Sequence, residues 1–95
     1  MQEPISTFIV RLLRGVSSGD MDGNEAIVQL VEREQDIVGI SEYEGAWSDI
    51  QHFVDDSDIR RKEPSYGRKQ RADMLALAER IEAGTYRPRT IRPPA

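Results

Sequence analysis

The sequence predicts an all-α fold, a small four-helix bundle over residues 1–84 followed by a flexible basic tail over residues 85–95. Three observations carry this. Apolar residues recur at spacings of three and one along four separate stretches, the stripe of an amphipathic helix, and no stretch fits a strand template. Clusters of Gly, Ser, Asp and Asn stand between those stretches, where helices start and stop. With 95 residues there is material for one core and none for a second.

The first stretch holds Ile5, Phe8, Ile9, Leu12, Leu13 and Val16. Pro4 suits its first turn, where no backbone donor is needed, and SSGD ends it near Ser17. In the second, Ala26, Ile27, Leu30 and Val31 share a face while Glu25, Gln29, Glu32 and Arg33 turn to water, and the pattern fades near Gln35. DIVGI, residues 36–40, reads as an extended connector or a frayed turn. Ser41 with Glu44 three residues on is a capping box that opens a third helix. Its apolar positions are Tyr43, Ala46, Trp47, Ile50, Phe53 and Val54; Trp47 and Phe53 are expected in the core, and DDSD stops the helix. The phenols of Tyr43 and Tyr66 want water or a partner. Beyond the polar link 55–64, Ser65 caps a fourth helix whose buried face is Tyr66, Met74, Leu75, Leu77, Ala78 and Ile81, closed by Gly84. TYRPRTIRPPA has three prolines, three arginines and little to bury, which makes the tail.

Composition narrows the function. The chain has no cysteine, which removes disulfides, thiolate metal sites and a cysteine nucleophile, and fits a reducing compartment, so the cytoplasm is expected. Arg11 and Arg14 interrupt the first apolar run, so no export signal or membrane span is expected there. A chain of this size buries about 60–65 per cent of its unfolded surface, too little to enclose a large cofactor.

GDMDGNEAIVQL, residues 19–30, resembles the start of a calcium loop, but neither register works. With Asp20 first, Glu25 takes the glycine position and Val31 the bidentate glutamate; with Gly23 as the glycine, Gln29 falls at the last position. The simpler reading is a corner in which Asp22 or Asn24 caps the second helix and Gly19 and Gly23 permit the turn. Ser48, Asp49 and His52 lie within one helical turn, with no glycine elbow to expose a nucleophile. Asp49 and His52 have the spacing of a metal pair, yet His52 is the only histidine, so carboxylates alone would have to complete a site. No catalytic residue, metal or cofactor is expected.

Charge is the unusual feature. Residues 20–58 carry twelve acids against Arg33 alone, a net of −11, whereas residues 59–95 carry ten bases against four acids. A formal charge of −4 conceals this separation. Helix N-termini favour acids, which accounts for Asp22, Glu25, Glu42 and Glu44 but not for the missing cations. Asp49, Asp55, Asp56 and Asp58 cluster at the end of the third helix and its loop, where no helix N-terminus is expected, and with Glu42 and Glu44 they form the expected partner-binding set.

From Tyr43 to Ile81 the chain reads YEGAWSDIQHFVDDSDIRRKEPSYGRKQRADMLALAERI. Its order of aromatic-rich helix, acid cluster, arginine and long final helix, with Trp47, Phe53, Asp56, Asp58 and Arg60, resembles the small acidic bacteriocin immunity proteins of the colicin D immunity type. The resemblance implies a bacterial helical bundle that blocks a basic nuclease toxin through surface acids; the run Arg60 to Lys62 departs from that pattern. The expected function is therefore non-enzymatic binding of a basic macromolecule. Two alternatives remain: nucleic-acid binding by Arg60, Arg61, Lys62, Arg68, Lys69, Arg71 and the tail arginines, and a metal-dependent bundle enzyme.

Overall fold

The structure, a computed structural model, describes residues 3–84. They form six helices and no strand: α1 Ile5–Ser18, α2 Gly23–Glu32, α3 Glu34–Ile37, α4 Ser41–Asp55, α5 Ser57–Lys62 and α6 Pro64–Ala83. The fold is all-α. The expected basic tail lies outside the described residues.

The four long helices fall on the four periodic stretches, and the two short ones lie in the links. α3 spans the fading end of the second stretch and the start of the region expected as an extended connector or a frayed turn; Ile37, which is 0% exposed, pins its one turn to the core, and Gly39 takes a left-handed φ of 94° after it. α5 occupies the polar link and buries no residue. Local charges support it: Asp58 stands in its first turn, Arg60, Arg61 and Lys62 in its last, as the helix dipole favours, and Arg61 pairs with Asp58.

Packing orders the helices around one core. α1 lies against α6 as the most extensive pair, while α4 packs on α2 and α6 and also touches α1. α1 and α6 run antiparallel, since Leu75 lies by Gly15 and Ser18, and Ile81 by Ser6 and Val10. The core centres on Ile9, Leu12, Leu13, Val16, Leu30, Ile37, Ile50 and Met74. Burying each of these aliphatic side chains contributes roughly 1.5–3 kcal/mol relative to exposure, which makes α1 the principal contributor.

Several local expectations need correction. Trp47 and Phe53 are only partly buried and pack at the rim of the core, while Tyr43, 4% exposed, lies within it. Tyr43, Ala46 and Ile50 repeat at three and four, and Trp47 stands one residue off that stripe. Val31 and Leu75 are exposed, whereas Arg33 turns inward. Ser41 is the first residue of α4, not its cap; Glu44 instead accepts from the Gly39 amide at 2.9 Å, two residues earlier than a capping box requires. α6 begins at Pro64, one residue before the expected cap Ser65.

The corner between α1 and α2 follows the expected capping, since Asp22 accepts from the Asn24 amide at 3.1 Å. Gly19 takes the left-handed φ of 88° that ends α1. Gly23 has a different task. It is buried, and a Cβ there would fall 2.6 Å from Val54 Cγ2, so its bare Cα lets the start of α2 approach the end of α4.

Candidate functional site

The acidic segment maps onto α2, α3, α4 and the start of α5. Nine of its twelve acids are exposed; Glu42, Asp49 and Asp56 are half-buried. Arg33, the segment's one cation, is withdrawn from this surface. Its side chain is 12% exposed, its guanidinium lies 4.9 Å from the Phe8 ring centroid, and Nη1 donates to the Glu3 carbonyl at 2.8 Å while the other end pairs with Asp36. The sequence reading that turned Arg33 to water missed this, because Phe8 and Glu3 come from a distant stretch.

The six acids expected to contact a partner have different surroundings. Asp55 and Asp58 are exposed; Asp55 accepts from Gln51 at 3.2 Å, and Asp58 pairs with Arg61. Asp58 also serves the first turn of α5, a helix start that was not expected. Asp56 is committed internally, accepting from the Tyr66 hydroxyl at 2.7 Å and from Gln70 at 3.2 Å. Glu44 holds the Gly39 amide. Glu42 sits in the first turn of α4 with Oε1 enclosed and no hydrogen-bond donor to it among the described residues. Asp49 faces α6.

Between α4 and α6 runs a polar groove of about 200 Å³ lined by Asp49, His52, Tyr66, Lys69, Gln70 and Asp73. Burial and the nearby Asp73 raise the Asp49 pKa above the ordinary 3.8, with His52 and Arg80 opposing. The folded protein therefore holds a proton that the unfolded chain releases, and stability declines as pH rises from about 3.8 through the raised value. Asp49→Asn is expected to raise the melting temperature at pH ~7 and to lose that advantage only well below the unfolded pKa of 3.8, near pH ~2.5, where the wild-type carboxyl is protonated in both states. Thermal melts at the two pH values check this; an equal gain at both would place the effect outside Asp49 ionisation.

The groove does not assemble the Ser48, Asp49 and His52 trio. Asp49 and His52 line it, while Ser48 opens onto a second groove on the far side of His52. Among the described residues no group of three or more His, Asp or Glu side chains is placed to hold a metal ion.

Of the basic residues of α5 and α6, Arg60 is half-buried and engaged within the fold, while the others are exposed. Arg60 lies 3.6 Å from the Phe53 ring centroid and donates from Nη1 to the Phe53 carbonyl and to Gln70 Oε1. Arg71 approaches the same ring at 5.4 Å. Burial and Arg71 lower the Arg60 pKa, opposed by Asp56 and Tyr66. Arg61 pairs with Asp58, and Lys69 with Asp73 at 3.1 Å. Phe53 thus carries a role that its periodicity concealed, as the platform for two guanidinium groups.

Among the described residues no helix is long and apolar enough to cross a membrane. Comparison of the chain with protein-family models, curated proteins and solved structures finds no match.

Proposed function

We propose that the protein acts by binding, without catalysis, and that the acidic face of α2, α3 and α4 engages a basic macromolecular partner, as an inhibitor of a cationic toxin would. The inward placement of Arg33 carries this reading. Ordinary surfaces intersperse the two signs, and a lone arginine among twelve acids would ordinarily serve to dilute their field. Here it is folded against Phe8 and Glu3 and offsets Asp36 alone, so the exposed acids other than Asp36 and the Arg61-paired Asp58 keep a concentrated negative potential. Arg60 is engaged within the fold, and the exposed Arg61 and Lys69 are partly neutralised by Asp58 and Asp73, which leaves the opposite reading, binding of phosphate backbones, with less net positive charge to work with.

Complementary fields speed encounter and are screened by salt, with a Debye length of about 10 Å at 0.1 M. The test begins with capture of the partner from the source cells and proceeds by surface plasmon resonance. A variant carrying Glu25→Gln, Glu32→Gln, Asp55→Asn and Asp58→Asn is expected to fold normally, since exposed charges contribute little to stability. It should associate several-fold more slowly than wild type at low salt, the two rates converging at high salt. Equal rates at every salt concentration would sink the proposal.

A further inference from the structure

Taking the acidic face as the binding face, we propose that its centre is the groove between α3 and the outer side of α4, where Trp47 and Val38 receive an apolar side chain of the partner flanked by that partner's lysines and arginines. The groove holds about 340 Å³, and its lining is mostly apolar, with Ile37 as its floor and Val38 and Trp47 at its mouth. Val38 is 60% exposed, and Trp47 is only partly buried. A half-buried tryptophan beside an exposed valine is a pair that gains from being covered, and tryptophan is among the residues that most often anchor interfaces.

The charge around this groove selects its occupant. Glu44, Ser48, Gln51 and Asp55 follow one another at spacings of four, three and four, so they form one stripe of α4 along the groove. Glu44 lines the groove at one end of that stripe, and exposed Asp55 stands one turn beyond Gln51 at the other. No lysine or arginine lines the groove; His52 is its only basic side chain. A second copy packed through this same face would bring acid against acid, and a nucleic acid or an anionic lipid surface would be repelled in the same way. A cationic protein segment with an apolar anchor satisfies both the apolar lining and the acidic ends.

Trp47 is the only tryptophan, so its emission reports on this groove alone. The probe is a short synthetic peptide with two central leucines flanked by arginines, titrated at low ionic strength with fluorescence and calorimetry read together. Controls replace the leucines by alanine, or the arginines by glutamate. The parent peptide is expected to shift Trp47 emission to shorter wavelength, the alanine peptide to bind about tenfold more weakly, and the glutamate peptide not to bind. Val38→Lys, a change at an exposed position, should weaken the parent peptide about tenfold with an unchanged melting temperature. Suppose instead that both arginine peptides bind equally by calorimetry, that Trp47 emission stays unmoved, and that Val38→Lys has no effect. The groove proposal is then overturned while the acidic-face reading stands. Absence of heat from every arginine peptide overturns both.

Discussion

Replacing Leu13 by alanine is expected to lower the free energy of unfolding by about 2–5 kcal/mol, because the change removes apolar contact and leaves a cavity in the core. Leu13 is 0% exposed, on the face of α1 that builds the core. For a domain of this size each kcal/mol moves the melting temperature by roughly 4–8 °C, so the variant approaches the limit of a marginally stable fold. Trp47→Ala is the informative comparison. As the core anchor that its size suggests, it would cost about 3–5 kcal/mol; as the rim residue of the structure it should cost clearly less than Leu13→Ala. Urea denaturation followed by circular dichroism ranks the two, and a Trp47→Ala cost equal to that of Leu13→Ala would contradict the assignment of Trp47 to the groove.

The second large effect is expected at Arg60. Its guanidinium covers the Phe53 ring and donates to the Phe53 carbonyl, one of the last four carbonyls of α4, which no later turn of that helix can satisfy. Gln70 adds an acceptor from α6, and Gly67 provides room, since a Cβ there would lie 3.0 Å from Arg60 Cδ. Arg60→Ala removes stacking and charge-assisted hydrogen bonds together and is expected to cost about 2–3 kcal/mol. Arg60→Lys should recover only part of this, because an ammonium cannot stack and donate sideways as a planar fork does. The near-ultraviolet circular dichroism signal and the denaturation midpoint measure both variants. A lysine variant as stable as wild type would mean that the positive charge alone matters.

These two sites mark how far the sequence was legible. Long-period patterns were readable: the stripe of α1 and the alternation of Tyr43, Ala46 and Ile50 follow from helix geometry alone and place the core without knowledge of neighbours. The acidic and basic segments were equally plain. Not legible were contacts that join distant stretches, namely Arg33 with Phe8 and Glu3, Asp56 with Tyr66 and Gln70, and Arg60 with Phe53, because periodicity describes one helix at a time. Asp56 was grouped with Asp55 and Asp58 by adjacency, and tertiary structure then separated it into an internal acceptor. α5 had a readable signature after all, an acid in the first turn and three bases in the last, but a segment with no apolar residue buried escapes any argument from hydrophobic pattern.

The first and last helices described here, α1 and α6, form the most extensive pair, and Arg14 reaches across it to Glu82, 68 residues further on. Closing so long a loop costs conformational entropy before the pairing returns any stabilisation. Helical domains ordinarily fold fast because their contacts are local; this chain must wait for its most distant contact to finish its core, which places it toward the slow end for an all-α domain. During synthesis α1 emerges with its apolar stripe uncovered, and α2 and α4 can cover only part of it before α6 has left the ribosome. In that interval, charge repulsion among the acids of the intervening segment is available to keep nascent chains apart.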